Sequence, residues 1–336
     1  MRLFVCLLTL LVVFSCKSKK NIPDVSDIKI NLTTTRFEKE LFSLDTNQLS
    51  TQFDPLISKH PDFGEIFLHN IINADPQWDT ETTADYVKGF ISAYRTVYDT
   101  SEVIFSNFTP YEKEIKYALQ FLKYYFPKYK APEKIITYIG PLDGYGDIIA
   151  ENVFIVGLHH HISSEYTIYK SMKFQETYPR YISQRFEPDY IAINCMKNIL
   201  LDMCPEKIDE SSLIDKMIEK GKRLYVLSML LPHYDEHKII GYTEKQLKSC
   251  YKHEANIWDL FVQNNLLQIT DYNRQKNYIS EGPKTQELGE DSPGNIGSFV
   301  GWQIVKKYMD NHPKLSPADL MKTDGETIFQ AVKYKP

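Results

Sequence analysis

Four groups of residues in the chain have the types and spacing to do chemistry. His233-Tyr-Asp-Glu-His237 follows the pattern H-x-x-E-H, in which two histidines on successive turns of one helix hold zinc beside a glutamate base. It follows Leu231-Pro232 directly and lies between two predicted helices, so it reads equally as a polar loop, and no third ligand accompanies it. His253-Glu254 opens like the metallopeptidase motif H-E-x-x-H, but Ile257 occupies the second ligand position. Glu254 instead falls on the apolar stripe of its own helix, where a carboxylate needs a cation or a hydrogen-bond donor. His159-His160-His161 closes a predicted strand; side chains alternate faces there, so only the outer two could share a metal. Arg180 and Arg185 stand among aromatics in Tyr178–Glu187, able to clamp an anion, or to stack on rings and pair with Glu187. The chain has no phosphate-binding glycine loop, no dinucleotide fingerprint, no G-x-S-x-G and no Cys/His pair at a telling spacing. These residues assign no catalytic, cofactor-binding or metal position.

The elements that must hold those residues are mainly helices. The stretch Asp291–Met309 organises the rest: Ser292 suits an N-cap, Pro293 the first helical position, and from Ile296 to Lys306 nearly every side is apolar. A helix without a polar stripe has to be surrounded. Gly297 and Gly301 share one face, and their cost of about 1 kcal/mol each against alanine points to a closely packed neighbour. Pro313 ends the run. Thr243-Glu-Lys-Gln246 is a capping box, with Tyr242 and Leu247 placed for a hydrophobic staple. Leu247, Cys250, Tyr251, Trp258, Phe261 and Val262 follow at helical spacing. Asp209–Leu231, Arg36–Leu44, Tyr86–Tyr98 and Pro110–Tyr125 also predict helices, with breaks at Asp75-Pro76 and Asp99–Thr109. Strands are predicted at Ile28–Thr35, Lys134–Gly140 and Asn152–Leu158. The last two flank the turn Pro141–Asp147, so an antiparallel pair is expected. The expectation is an α+β fold, predominantly α: one helical domain, residues 28–336, around a small antiparallel or mixed sheet.

With 43% apolar residues, 336 positions can bury a large core, and 23 tyrosines with 18 phenylalanines make that core aromatic. A net charge of −5 argues against general nucleic-acid binding. Arg2 precedes the apolar run Leu3–Phe14, shorter than the roughly 20 residues of a membrane span but suited to a secretory signal. Val13-Phe14-Ser15-Cys16 matches a lipoprotein cleavage box. The expected arrangement is a signal peptide over residues 1–15, a lipidated tether over 16–27, and fatty acids on the sulfur and amine of Cys16. Cys195, Cys204 and Cys250 then remain. An odd number without a C-x-x-C pair gives no zinc framework and at most one disulfide.

Taken in order along the chain, Arg36-Phe-Glu-Lys-Glu-Leu-Phe42, Tyr178-Pro-Arg-Tyr181, Arg185-Phe-Glu-Pro188, Ile240-Gly-Tyr-Thr243, Ser292–Met309 and Lys333-Tyr-Lys-Pro336 resemble the GldB-type gliding-motility lipoproteins of the Bacteroidetes. The resemblance implies a non-catalytic, palmitoylated envelope protein required for gliding, which works with other gliding lipoproteins and type IX secretion components. It also implies a degenerate zincin-like fold in which Gln184–Pro188 replaces the metal motif, with a periplasmic zinc hydrolase as the rival reading. Asn295 stands where an arginine is common. Lys17-Ser-Lys-Lys20, basic where surface-exported relatives carry acidic residues, implies an outer-membrane lipoprotein that faces the periplasm.

Overall fold

The computed structural model describes residues 22–206 and 211–336. The expected signal peptide, Cys16, the first part of the tether with its basic cluster, and Asp209 lie outside the described residues.

The sheet has four strands: β1 (Thr33–Arg36), β2 (Lys134–Tyr138), β3 (Ile148–Ala150) and β4 (Val153–Gly157). Their order is β1-β2-β4-β3. β1 pairs parallel with β2, and β2 parallel with β4, in the register Lys134↔Val153. The expected antiparallel pairing of β2 with β4 is therefore corrected. The chain leaving β2 first passes through the Pro141–Asp147 turn and forms β3, a strand that the sequence reading lacked. β3 makes the antiparallel hairpin with β4, across a two-residue turn in which Asn152 adopts φ 59°. β1 is also shorter than Ile28–Thr35: only its last residues find a partner edge. Every residue of β4 and all of β2 after Lys134 are buried, as expected of parallel strands covered on both faces.

Ahead of β2 come α1 (Phe37–Phe42), α2 (Leu49–Lys59), a π-helical turn (Ile66–Ile71), α3 (Thr80–Phe105) and α4 (Thr109–Tyr125). Helix α3 runs through most of the segment expected to be a break. After β4 the chain forms a 3-10 turn (Leu158–His160), then α5 (Met172–Thr177), α6 (Arg180–Ser183), α7 (Tyr190–Met203), α8 (Leu213–Leu230) and α9 (Glu236–Ile240). It continues with α10 (Glu244–Lys252), α11 (Glu254–Gln263), α12 (Tyr272–Ile279), α13 (Ile296–Asn311), α14 (Pro317–Lys322) and α15 (Gly325–Val332). The expected single helix through Leu247 and Val262 is two, broken at His253. The capping box is present: the Thr243 hydroxyl accepts from Gln246 N–H, and the Gln246 side chain accepts from Thr243 N–H.

Helix α13 is the buried centre, and α8 is its main partner. The two backbones touch at glycines. A Cβ on Gly301 would lie 1.7 Å from the Met217 carbonyl oxygen, and one on Gly221 would lie 2.3 Å from the Gly301 carbonyl carbon. The start of α13 differs from expectation. Ser292 does not cap it; its hydroxyl accepts from Thr285 N–H and reaches the Thr285 and Gly289 carbonyls, closing a loop. Asn295, at φ 55°, is the residue before the first turn. Buried apolar side chains from Val25 to Tyr334 form one continuous core. Among the described residues no helix is long and apolar enough to cross a membrane.

Candidate functional site

The histidine run does not alternate along a strand. It lies on the 3-10 turn after β4, and all three rings are buried. His159 Nδ1 accepts from Gly140 N–H at 3.0 Å, which leaves Nε2 as the N–H facing the Tyr145 carbonyl at 3.0 Å. Both ring nitrogens of a neutral imidazole are thereby satisfied. Burial first, then the neighbouring His160, holds its pKa well below the ordinary value. His160 stacks on Phe186 with ring centroids 4.5 Å apart and reaches the Leu142 carbonyl through Nε2; burial pulls its pKa down to about 4.

His161 is the opposite case. Its Nδ1 faces the Glu187 carbonyl at 3.1 Å and its Nε2 faces Asp147 Oδ2 at 2.8 Å. Two acceptors suit an imidazolium. Burial works against its proton, but the Asp147 charge and hydrogen bond prevail, and the pKa is raised. Asp147 also accepts from Asn194 on α7 at 2.7 Å and from Gly157 N–H at 3.1 Å. Despite full burial, these partners keep its carboxyl below the usual range. Sequence reading placed Asp147 only in a turn. Its donors come from Gly157, His161 and α7, far apart in sequence, and they make it a clamp between sheet and helices rather than an open acid–base pair.

The remaining patterns separate. Arg180 holds the Ser164 carbonyl at 2.6 Å and Glu165 at 2.7 Å, whereas Arg185 pairs with Glu281 at 2.9 Å. Glu187 accepts from Ser164 N–H, so neither arginine pairs with it and the two do not form one clamp. His233 stacks on Tyr117, its Nε2 3.1 Å from the phenol oxygen, while His237 belongs to α9. His253 breaks the helix, and Glu254 takes the Tyr334 phenol as donor rather than a cation. No group of three or more His, Cys, Asp or Glu that could hold a metal ion occurs among the described residues. Cys195, Cys204 and Cys250 are free thiols; burial pushes that of Cys250 up to about 12.

Besides a cleft of about 450 Å³ lined by Lys29, Lys123, Lys130 and Glu133, an open site lies between α7, α8, the end of α9 and the start of α13. It is a cleft of about 300 Å³. Leu200, Leu224, Leu227 and Ile240 give it apolar walls, and Lys197, Glu281, Asn295 and Ser298 a polar side. Three segments distant in sequence are tied here. Arg185 lies over Gly241, where a Cβ would come within 2.8 Å of its guanidinium and where φ is 85°. Tyr242 donates to the Asn295 carbonyl at 2.9 Å. The Ser298 hydroxyl donates to Asn295 Oδ1 at 2.7 Å. Lys197 makes no hydrogen bond or ion pair with a described residue; burial first and Arg185 second pull its pKa down to about 8, with Glu281 opposing. The sequence carried a signal for this site that the motif reading passed over: Lys197 is the one charge in the apolar run Ile191–Leu201.

No curated protein and no solved structure matches the chain significantly. A family model described as gliding motility protein GldB matches residues 18–336, nearly the whole length. The segments that meet at the cleft all lie within that match, and the chain belongs to the GldB family of gliding-motility proteins.

Proposed function

We propose that this protein is a non-catalytic envelope lipoprotein, anchored through Cys16 at the outer membrane with its body in the periplasm, which stabilises or assembles other gliding and type IX secretion components. Membership of a gliding-motility family supports the process. The observation that carries the non-catalytic reading is how the chemistry-bearing residues are used. His159, His160, His161, Asp147, Arg180, Arg185, His233 and Glu254 each face a partner within the fold. A catalytic acid, base or nucleophile needs a face turned to substrate; the three consecutive histidines and Asp147 have theirs turned inward, while the exposed Arg180 and His233 are engaged by Glu165 and Tyr117. What remains for function is surface, cleft and anchor, which is the equipment of a binding module.

The test is cross-linking in intact membranes followed by identification of the attached proteins. Other gliding lipoproteins or secretion components are the expected partners. Cys16→Ala should release the protein from the membrane and abolish gliding. Membrane association that survives this change would overturn the anchor. Stoichiometric zinc, with hydrolysis lost in His233→Ala, would overturn the non-catalytic role.

A further inference from the structure

The cleft between α7, α8 and α13 has an excess of positive charge that its own carboxylates do not neutralise. Glu281 is paired with Arg185 at 2.9 Å and Glu206 with Lys220 at 3.4 Å. Arg223 spends its guanidinium on the carbonyls of Glu219, Cys204 and Pro205, and its Nε–H is buried without a partner. Lys197 has neither a carboxylate nor a carbonyl in bonding range among the described residues. Its ammonium is partly buried against apolar walls, an arrangement that costs stability unless something compensates it. A compact domain that keeps such a lysine, next to a cavity at the small end of the range for ligand sites, is arranged for an occupant that supplies the missing charge.

We propose that the cleft binds a small aliphatic monocarboxylate. Its carboxylate would accept from the Lys197 ammonium and from the Asn295 side-chain amide, whose oxygen is already taken by Ser298. Its hydrocarbon tail would lie along Leu200, Leu224 and Leu227. Apolar walls exclude a bare inorganic anion as the best fit, because such an ion would lose its hydration without gaining contacts. Cationic surplus excludes an amine. The site is independent of the assembly role, since a scaffold can bind such a ligand whichever proteins it contacts.

Hexanoate and hexylamine, titrated by calorimetry into the full chain in lipid nanodiscs against empty discs, test the assignment. Hexanoate should bind at one saturable site and hexylamine should not. Lys197→Met should weaken hexanoate on the order of tenfold or more, the usual loss for a charge-assisted hydrogen bond, and Lys197→Arg should keep most of the affinity. Lys197→Met should also melt no lower than the parent, because it removes a charge that the empty fold leaves unpaired; loss of binding at retained stability is something a merely structural lysine would not show. No saturable hexanoate binding, equal binding of hexylamine, or unchanged hexanoate affinity in Lys197→Met would each overturn the proposal.

Discussion

A histidine's protonation is decided by what its two nitrogens face, and the three consecutive histidines of this chain show both outcomes within one turn. His159 and His160 are held neutral by burial, while His161 is held protonated by Asp147. The signs follow from linkage. Unfolded, His159 and His160 would take protons near their ordinary 6.5; folded, they resist until far lower, His160 until about 4. As pH falls below 6.5 the unfolded chain therefore binds protons that the folded one refuses, and stability falls. His161 runs the other way: its stabilisation is complete below 6.5 and fades as pH rises through its raised folded pKa. Asp147, with its pKa lowered, contributes fully above 3.8. Each neutral histidine should add up to about 1.4 kcal/mol per pH unit to the rise in stability from roughly pH 4 to 6.5. Urea denaturation at about pH 5 and about pH 7 checks it. His160→Gln, which keeps a donor for the Leu142 carbonyl, should flatten the rise, and an unchanged slope would remove burial as the cause. The histidine run itself was plain in the sequence. Its use was not, because apart from Asp147 its partners are backbone groups, the Gly140 N–H and the carbonyls of Tyr145, Leu142 and Glu187, and a backbone group has no sequence signature.

Two helices that meet backbone to backbone need glycine on both, and here α8 supplies Gly221 where α13 supplies Gly301. Alanine in place of a helical glycine ordinarily gains about 1 kcal/mol of helix propensity. At Gly301 that gain is outweighed: a Cβ 1.7 Å from the Met217 carbonyl oxygen forces two buried helices apart. Overpacking of this kind costs about 1–3 kcal/mol or more even where side chains can yield, and here the obstacle is backbone. Gly301→Ala should therefore lower stability by at least about 2 kcal/mol net of propensity. Gly89, exposed on α3 with nothing within 4 Å of an added Cβ, is the control: Gly89→Ala should gain about 0.5–1 kcal/mol. Thermal melts of the two variants should move in opposite directions, and a neutral Gly301→Ala would refute the close crossing. Elements with strong periodicity or punctuation were legible: α13 from its unbroken apolar run, α10 from its capping box. The pairing of β2 with β4 was misjudged because turn residues between two strands suggest a hairpin. The continuous runs Ile135-Ile136 and Val153–Val156 were the better guide, since strands buried on both faces do not alternate. Ser292-Pro293 looked like a helix start because local cap chemistry suits that use, yet the same hydroxyl serves the distant Thr285.

Chains of this length commonly divide their cores, but here one continuous set of buried side chains joins the sheet to the helices. The route is physical. α1 packs on β2, α4 on α7 and α8, and α7 on β3, while α8 carries α13. Asp147 adds polar ties across the same seam, through its carboxylate to Asn194 and through its carbonyl to Asn198, both on α7. The single domain was legible from the absence of any linker, and the cleft was not, because it is assembled from α7, α8, α9 and α13 and no one segment contains it. A single core has a testable consequence. Ile135 on β2 is fully buried, and truncating it to alanine should cost about 2–5 kcal/mol. The loss should reach Trp302, buried on α13 in the other half of the sequence. Urea unfolding of Ile135→Ala, followed at once by tryptophan fluorescence and far-ultraviolet circular dichroism, should show both midpoints shifted together. With Trp78 and Trp258 replaced by phenylalanine so that Trp302 alone reports, an unmoved fluorescence midpoint beside a shifted dichroism midpoint would mean that sheet and helices unfold separately.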